Sequence, residues 1–250
     1  MAAPARRRPA LRLPAPRRLL RDPAFWYVTV LASMWPLLTL LPAERVAALR
    51  AWASTDLGNL RPWPDGHPVE SLVVSAFVPQ DTIWVWPVFA LSVFAVVGAL
   101  GGRRAVAVLA GVQVLATVIT EGLVRWRIEH GALPPEAAHY VDTGPSYVVV
   151  AALAVAIGRA RPVWSRAVWL AMLAVAAPSL FGGVADGEVA AVGHLISLVA
   201  GLAVAAAHRL GLPPVARRLR PAERAPAAGT VGTAGTANDP EGRPERVPSR

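Results

Sequence analysis

Cysteine is absent from the 250-residue chain, and so is lysine, leaving all 25 basic residues as arginine. Without cysteine there is no disulfide framework, no thiolate metal site and no cysteine nucleophile. Charge of either sign is scarce, at 16% of residues against 54% hydrophobic. A soluble domain carries more charge than this over its surface. The apolar residues also gather into blocks long enough to cross a bilayer, and that clustering sets the class as a polytopic helical membrane protein. The formal net charge of +9 would fit a nucleic-acid binder if it lay on one folded basic face. It lies instead in tails and short loops beside the apolar blocks. That placement suits an orientation signal and anionic lipid, and nucleic acid is not an expected partner.

Six apolar blocks read as spans: Phe25–Leu41, Ile83–Leu100, Ala105–Leu123, Gly144–Ile157, Val163–Phe181 and Val189–Ala207. The first follows a basic stretch, as a signal peptide would. It is longer than most h-regions and no small-x-small cleavage site follows, so an uncleaved first span is expected. Residues 1–24 form a basic arm, 25–208 the six-span membrane domain, and 209–250 a tail of Pro, Ala, Gly, Thr and Arg expected to be disordered.

Charge placement gives the expected orientation. With the N-terminus inside, Arg103, Arg104, Arg159, Arg161 and the arginines of both tails fall on the cytoplasmic side, and Arg166 can snorkel to it. The outer pieces keep Arg45, Arg50, Arg61, Arg125 and Arg127, together with most acids, Glu121 and Glu129 among them. The arginine bias places both termini in the cytoplasm and the protein in the cell membrane. The long outer segment Pro42–Thr82 holds Trp52, Trp63 and the apolar stretch Leu72–Val78. It is too polar to span. It reads either as an amphipathic helix at the outer leaflet or as an ordered loop packed on the bundle.

Two polar features lie near the outer ends of spans. Asp142-Thr143-Gly144-Pro145-Ser146-Tyr147 opens span four, and Gly193-His194-Leu195-Ile196-Ser197 lies in span six, followed by Gly201. Both spans enter from the outer face, so Ser146 and His194 fall at comparable depth, counting ~1.5 Å per residue. An imidazole beside a hydroxyl can act as base and nucleophile, and an ionisable residue within a span is a functional candidate. Plainer readings stand beside these. A serine in a membrane helix often bonds a preceding turn, and Gly193, Ser197 and Gly201 make a small-residue face for close helix packing.

In the order of these elements the chain resembles the rhomboid intramembrane proteases, in particular a divergent actinobacterial-type group. The resemblance rests on Gly144-Pro145-Ser146 opening a short fourth span, on His194, Ser197 and Gly201 along the sixth, on the segment His67–Val78 before span two, and on the Ser54–Leu60 element. It covers about residues 25–208. It implies an all-α, six-transmembrane-helix bundle with a Ser146–His194 dyad, no metal and no organic cofactor. It also implies membrane lipid as surroundings and transmembrane proteins as substrates or clients; oligomeric state is left open. The chain departs from the family pattern at several points. Trp86 and Ala90 stand where rhomboids carry His-x-x-x-Asn, so only the Trp86 indole N–H remains as a side-chain oxyanion donor there. Tyr147 replaces a glycine after the serine, Val150 replaces a tyrosine that packs on the imidazole, and Pro145 removes a backbone N–H. Gly144, Tyr147 and Trp86 are therefore the oxyanion and pocket candidates. Two functions follow as expectations: cleavage of membrane-anchored proteins, or client binding by an inactive pseudoprotease.

Overall fold

The computed structural model describes residues 16–80 and 85–211, and every regular element among them is helical. The first fifteen residues, Ile83 at the expected start of span two, and the tail from residue 212 lie outside the described residues. A single turn, α1 (Pro16–Leu19), precedes α2 (Pro23–Leu40). Asp22 caps α2 by accepting from the Ala24 N–H at 2.9 Å, with Pro23 at the first helical position, where its missing N–H costs nothing. The outer segment forms α3 (Ala43–Ala53) and α4 (Pro68–Val74), the latter tightening into a 3-10 turn over Ser75–Phe77. Then come α5 (Trp86–Ala90), α6 (Ser92–Leu100), α7 (Gly102–Glu129), a 3-10 turn at Pro135–His139, α8 (Ser146–Arg159), α9 (Val163–Phe181) and α10 (Val189–Arg209).

Four helices, α2, α7, α9 and α10, are long and apolar enough to cross a membrane. The shorter apolar stretches Trp86–Leu100 and Ser146–Arg159 complete a helical membrane bundle. Several boundaries differ from the sequence reading. Span two is interrupted at Leu91, between α5 and α6. Span four begins at Ser146, so Gly144 lies before the helix. Span three runs on to Glu129 as one 28-residue helix, which places Glu121, Arg125, Arg127 and Glu129 on α7 and not in a loop. At 1.5 Å per residue α7 is about 42 Å long, against a hydrocarbon thickness of about 30 Å. Its charged last turns therefore extend past the apolar layer, where a hydropathy reading stops.

The segment from Pro42 to Gln80 packs on the bundle. Ser54, Thr55, Ser71 and Ser75 are fully buried, and the Tyr27 hydroxyl of α2 donates to the Ala76 carbonyl at 3.2 Å. Trp63, by contrast, is 85% exposed.

At the centre stands α8. Every residue from Tyr147 to Ala156 is buried, the pattern of a helix apolar all round and enclosed by others. Its residues are mostly Val and Ala, so α6, α7, α9 and α10 all pack against it. The most extensive of these contacts is with α10. Gly201 permits it: a Cβ there would meet the Ala151 carbonyl oxygen at 2.5 Å and the Ala154 Cβ at 2.7 Å. Between α6 and α7 the chain reverses through Gly101 alone, at φ +80°, a conformation that glycine adopts without steric cost. Large apolar side chains exposed on α2, α7 and α9, such as Trp35, Val118 and Val175, face outward where lipid would cover them.

Because the clash at Gly201 is with backbone, it cannot relax by a rotamer change. Gly201→Ala should destabilise the folded protein by about 1–3 kcal/mol, read as a lower thermal midpoint in detergent. Gly98→Ala, where a Cβ meets nothing within 4 Å, should leave that midpoint unchanged or raise it.

Candidate functional site

Ser146 is the first residue of α8, and its depth follows from the helix length. Fourteen residues make about 21 Å, shorter than the apolar layer, so at least one end of α8 lies within that layer. The N–H groups of the first helical turn have no intrahelical acceptor, and the helix dipole favours negative charge there.

The approach to Ser146 is not helical, and side chains from the outer segment hold it. The Asp142 N–H donates to Ser54 Oγ at 2.9 Å. The Thr55 N–H donates to the Asp142 carbonyl at 2.8 Å, and Thr55 Oγ1 donates to the same carbonyl at 3.1 Å and to Asp142 Oδ2 at 3.2 Å. The Gly144 N–H donates to the Ser75 carbonyl at 2.9 Å, with Gly144 at φ +150°. The rest of the Ser54–Leu60 element shapes this clasp. Asp56 Oδ1 accepts from the Gly58 and Asn59 N–H groups, and the Asn59 amide donates to the Ala51 and Ser54 carbonyls at the end of α3.

His194 comes from α10. Its Nδ1 lies 2.7 Å from the Leu180 carbonyl, in the last turn of α9 where carbonyls lack intrahelical donors. A carbonyl only accepts, so Nδ1 carries the hydrogen and Nε2 presents a lone pair. The ring is fixed edge-on between Tyr147, with centroids 5.5 Å apart, and Phe181, at 6.4 Å. Tyr147 thus supplies the aromatic wall that Val150 lacks; Val150 itself is buried in α8. Gly193 makes room for this, since a Cβ there would fall 2.5 Å from the Tyr147 ring. Ser197 Oγ donates to the Gly193 carbonyl at 2.9 Å, an intrahelical bond that gives it a packing role.

Ser146, His194, Tyr147, Gly144 and Trp86 line one cavity of about 510 Å³. Four buried polar atoms on its lining residues have no hydrogen-bond partner among the described residues: Trp86 Nε1, Thr143 Oγ1, Tyr147 OH and His194 Nε2. Buried polar groups are normally paired, so four unpaired ones on residues lining a single cavity set this part of the bundle apart. The structure brings Ser146 and His194 to one cavity but makes no direct hydrogen bond between them. Ala90, fully buried against Leu31, Val149 and Leu153, offers no donor. The sequence reading missed Thr143, the Leu180 carbonyl and Phe181. Thr143 sat within a quoted motif; the other two depend on how α9 meets α10, which no local pattern encodes.

The chain is an all-helical membrane bundle in which Ser146 and His194, on two packed helices, line one cavity. A family model described as "Rhomboid-like protein" matches residues 22–210, and the chain belongs to that rhomboid-like family. No curated protein and no solved structure shows significant similarity to it.

The clasp is testable apart from any activity. Ser54→Ala leaves the Asp142 N–H without its acceptor and should cost about 1–3 kcal/mol. Thermal unfolding of the purified protein should show it, while Ser33→Ala, an exposed serine bonded within α2, should not shift the midpoint.

Proposed function

We propose that the chain is an intramembrane serine protease that cleaves membrane-anchored proteins. One observation carries this reading. His194 is held through Nδ1 so that its basic Nε2, unpartnered, belongs to the cavity that Ser146 enters. In the reaction Nε2 takes the Ser146 hydroxyl proton as Oγ bonds to the scissile carbonyl carbon. The proton then passes to the leaving amine as the C–N bond breaks, and water releases the acyl group by the same base. The oxyanion would be met by the Ser146 N–H at the start of α8 and by Trp86 Nε1. Both Ser146 and the base are this chain's own, so no cofactor enters the scheme.

A second reading, a pseudoprotease that binds client spans without cutting them, is favoured by two observations. The span-two donor pair is replaced by Trp86 and the buried Ala90, and Ser146 makes no hydrogen bond to His194. Unliganded sites commonly hold catalytic bonds long, so the second point weighs less than the first.

A serine-directed fluorophosphonate decides between them. On the protease reading the purified protein labels covalently, Ser146→Ala and His194→Ala abolish labelling, and Trp86→Phe slows it by about 10²-fold, the usual effect of one lost oxyanion donor. No labelling of the native protein, with its fold intact, selects the pseudoprotease.

The orientation belongs to this proposal as well, because the cavity must open toward the outer half of the membrane. The arginine bias puts both termini in the cytoplasm of a cell-membrane protein. A reporter fused after Arg250 should behave as cytoplasmic and one inserted beside Asp65 as external. The reverse result would turn the Ser146 end of α8 inward.

A further inference from the structure

At the other end of α8 lies a second cavity of about 330 Å³, between the last turns of α6 and α8 and the first turn of α9. Helices α6 and α9 both rest on α8, and the cavity fills the space between their ends. Its wall holds the arginines Arg159 and Arg161 with Ser165, against the apolar faces of Gly98 and Trp169. The Nε atom of Arg159 is buried without a hydrogen-bond partner among the described residues, and so is that of Arg166, three residues into α9. An unpaired buried guanidinium N–H is costly, and its natural complement is an anionic oxygen. The start of α9 adds the positive end of its dipole. Nothing in the sequence opposes this charge locally, since there is no Asp or Glu from residue 82 to 120 or from 143 to 185.

The anion has to reach a site at the ends of membrane helices. Beside it, Val163 and Trp164 at the start of α9 are largely exposed, the arrangement of an interfacial belt over acyl chains. Arg103 and Arg104 share this end of the bundle, at the start of α7. We propose that the Arg159–Arg161 cavity binds the phosphate of an anionic membrane phospholipid, with the apolar start of α9 covering its chains. Arginine suits the role because its planar fork grips phosphate oxygens in pairs. A zwitterionic lipid fits poorly, as its choline would find no acid nearby. The site is independent of whether Ser146 is a nucleophile.

The test is native mass spectrometry of the full-length protein from micelles doped with equal phosphatidylglycerol and phosphatidylcholine. The expected result is retained phosphatidylglycerol, and at least about tenfold less of it in Arg159→Gln/Arg161→Gln, since the loss of even one charge-assisted bond is worth about that factor. Gly98→Leu places bulk on the cavity wall while keeping every arginine, at a position where a Cβ meets nothing within 4 Å, and should lose the lipid equally. Arg104→Gln, at the same end of the bundle and absent from the cavity wall, should retain it. Equal retention of the two lipids, or unchanged retention in both cavity variants, would overturn the proposal. So would displacement of the lipid by an equal concentration of glycerol phosphate, which would assign the site to a soluble phosphate.

Discussion

The closeness of α10 to α8 is the constraint on which the rest of the bundle depends. Within a bilayer, lipid is as apolar as leucine, so helices associate through packing and close approach and not by escaping water. Here the approach is set along the helix pair by three glycines: Gly193 under the Tyr147 ring, Gly201 against the Ala151 carbonyl, and Gly158 against Ala205. With contact fixed at both ends and the middle, α10 has no freedom to slide or turn. A slip of one residue would rotate its side chains by about 100° and carry the His194 imidazole out of the cavity. The same glycines therefore fix the helix register and the geometry of the candidate site.

A second constraint comes from the backbone just before Ser146. Non-helical backbone at membrane depth is tolerated only where its polar groups are satisfied by protein or by a water-filled cavity. The short α8 leaves Asp142–Pro145 in that position, and the outer segment supplies the missing partners through Ser54, Thr55 and the Ser75 carbonyl. This accounts for serines and threonines buried in a segment between two spans, and for a 3-10 turn driven down beside α2. The loop packs on the bundle because the loop before α8 has hydrogen bonds to make.

Much of this was legible in the sequence, for reasons that also mark where legibility stopped. Spans one, five and six are long continuous apolar runs, so hydropathy located α2, α9 and α10 closely. Gly193 and Gly201 were readable as a packing face because helical spacing puts them on one side. The continuation of α7 from Val124 to Glu129 was not, since charge ends an apolar run without ending a helix. The break at Leu91 has no strong local signal either, although Pro87 lies within α5. At the site, the residue types pointed to Ser146 and His194. The anchoring of His194 by Leu180 and the aromatic wall from Tyr147 and Phe181 arise between helices far apart in sequence, where no spacing rule reaches.

Electrostatics at the cavity decides what the arrangement can do. The span-two position that would carry an amide donor holds Ala90, and Pro145 brings no N–H of its own. What remains is the set of N–H groups opening α8 and the Trp86 indole, beside a cavity lined by Val149, Val150 and Leu153 together with Gln80, Asp142 and Glu188. On the proposed reading, a missing donor costs about 10²–10³ in turnover, a slowing that leaves the serine–histidine pair in place. Tyr147 bears on the same balance from the other side. Its ring packs edge-on against the His194 imidazole and over Gly193, filling the space between α8 and α10 that a glycine after the serine would leave open.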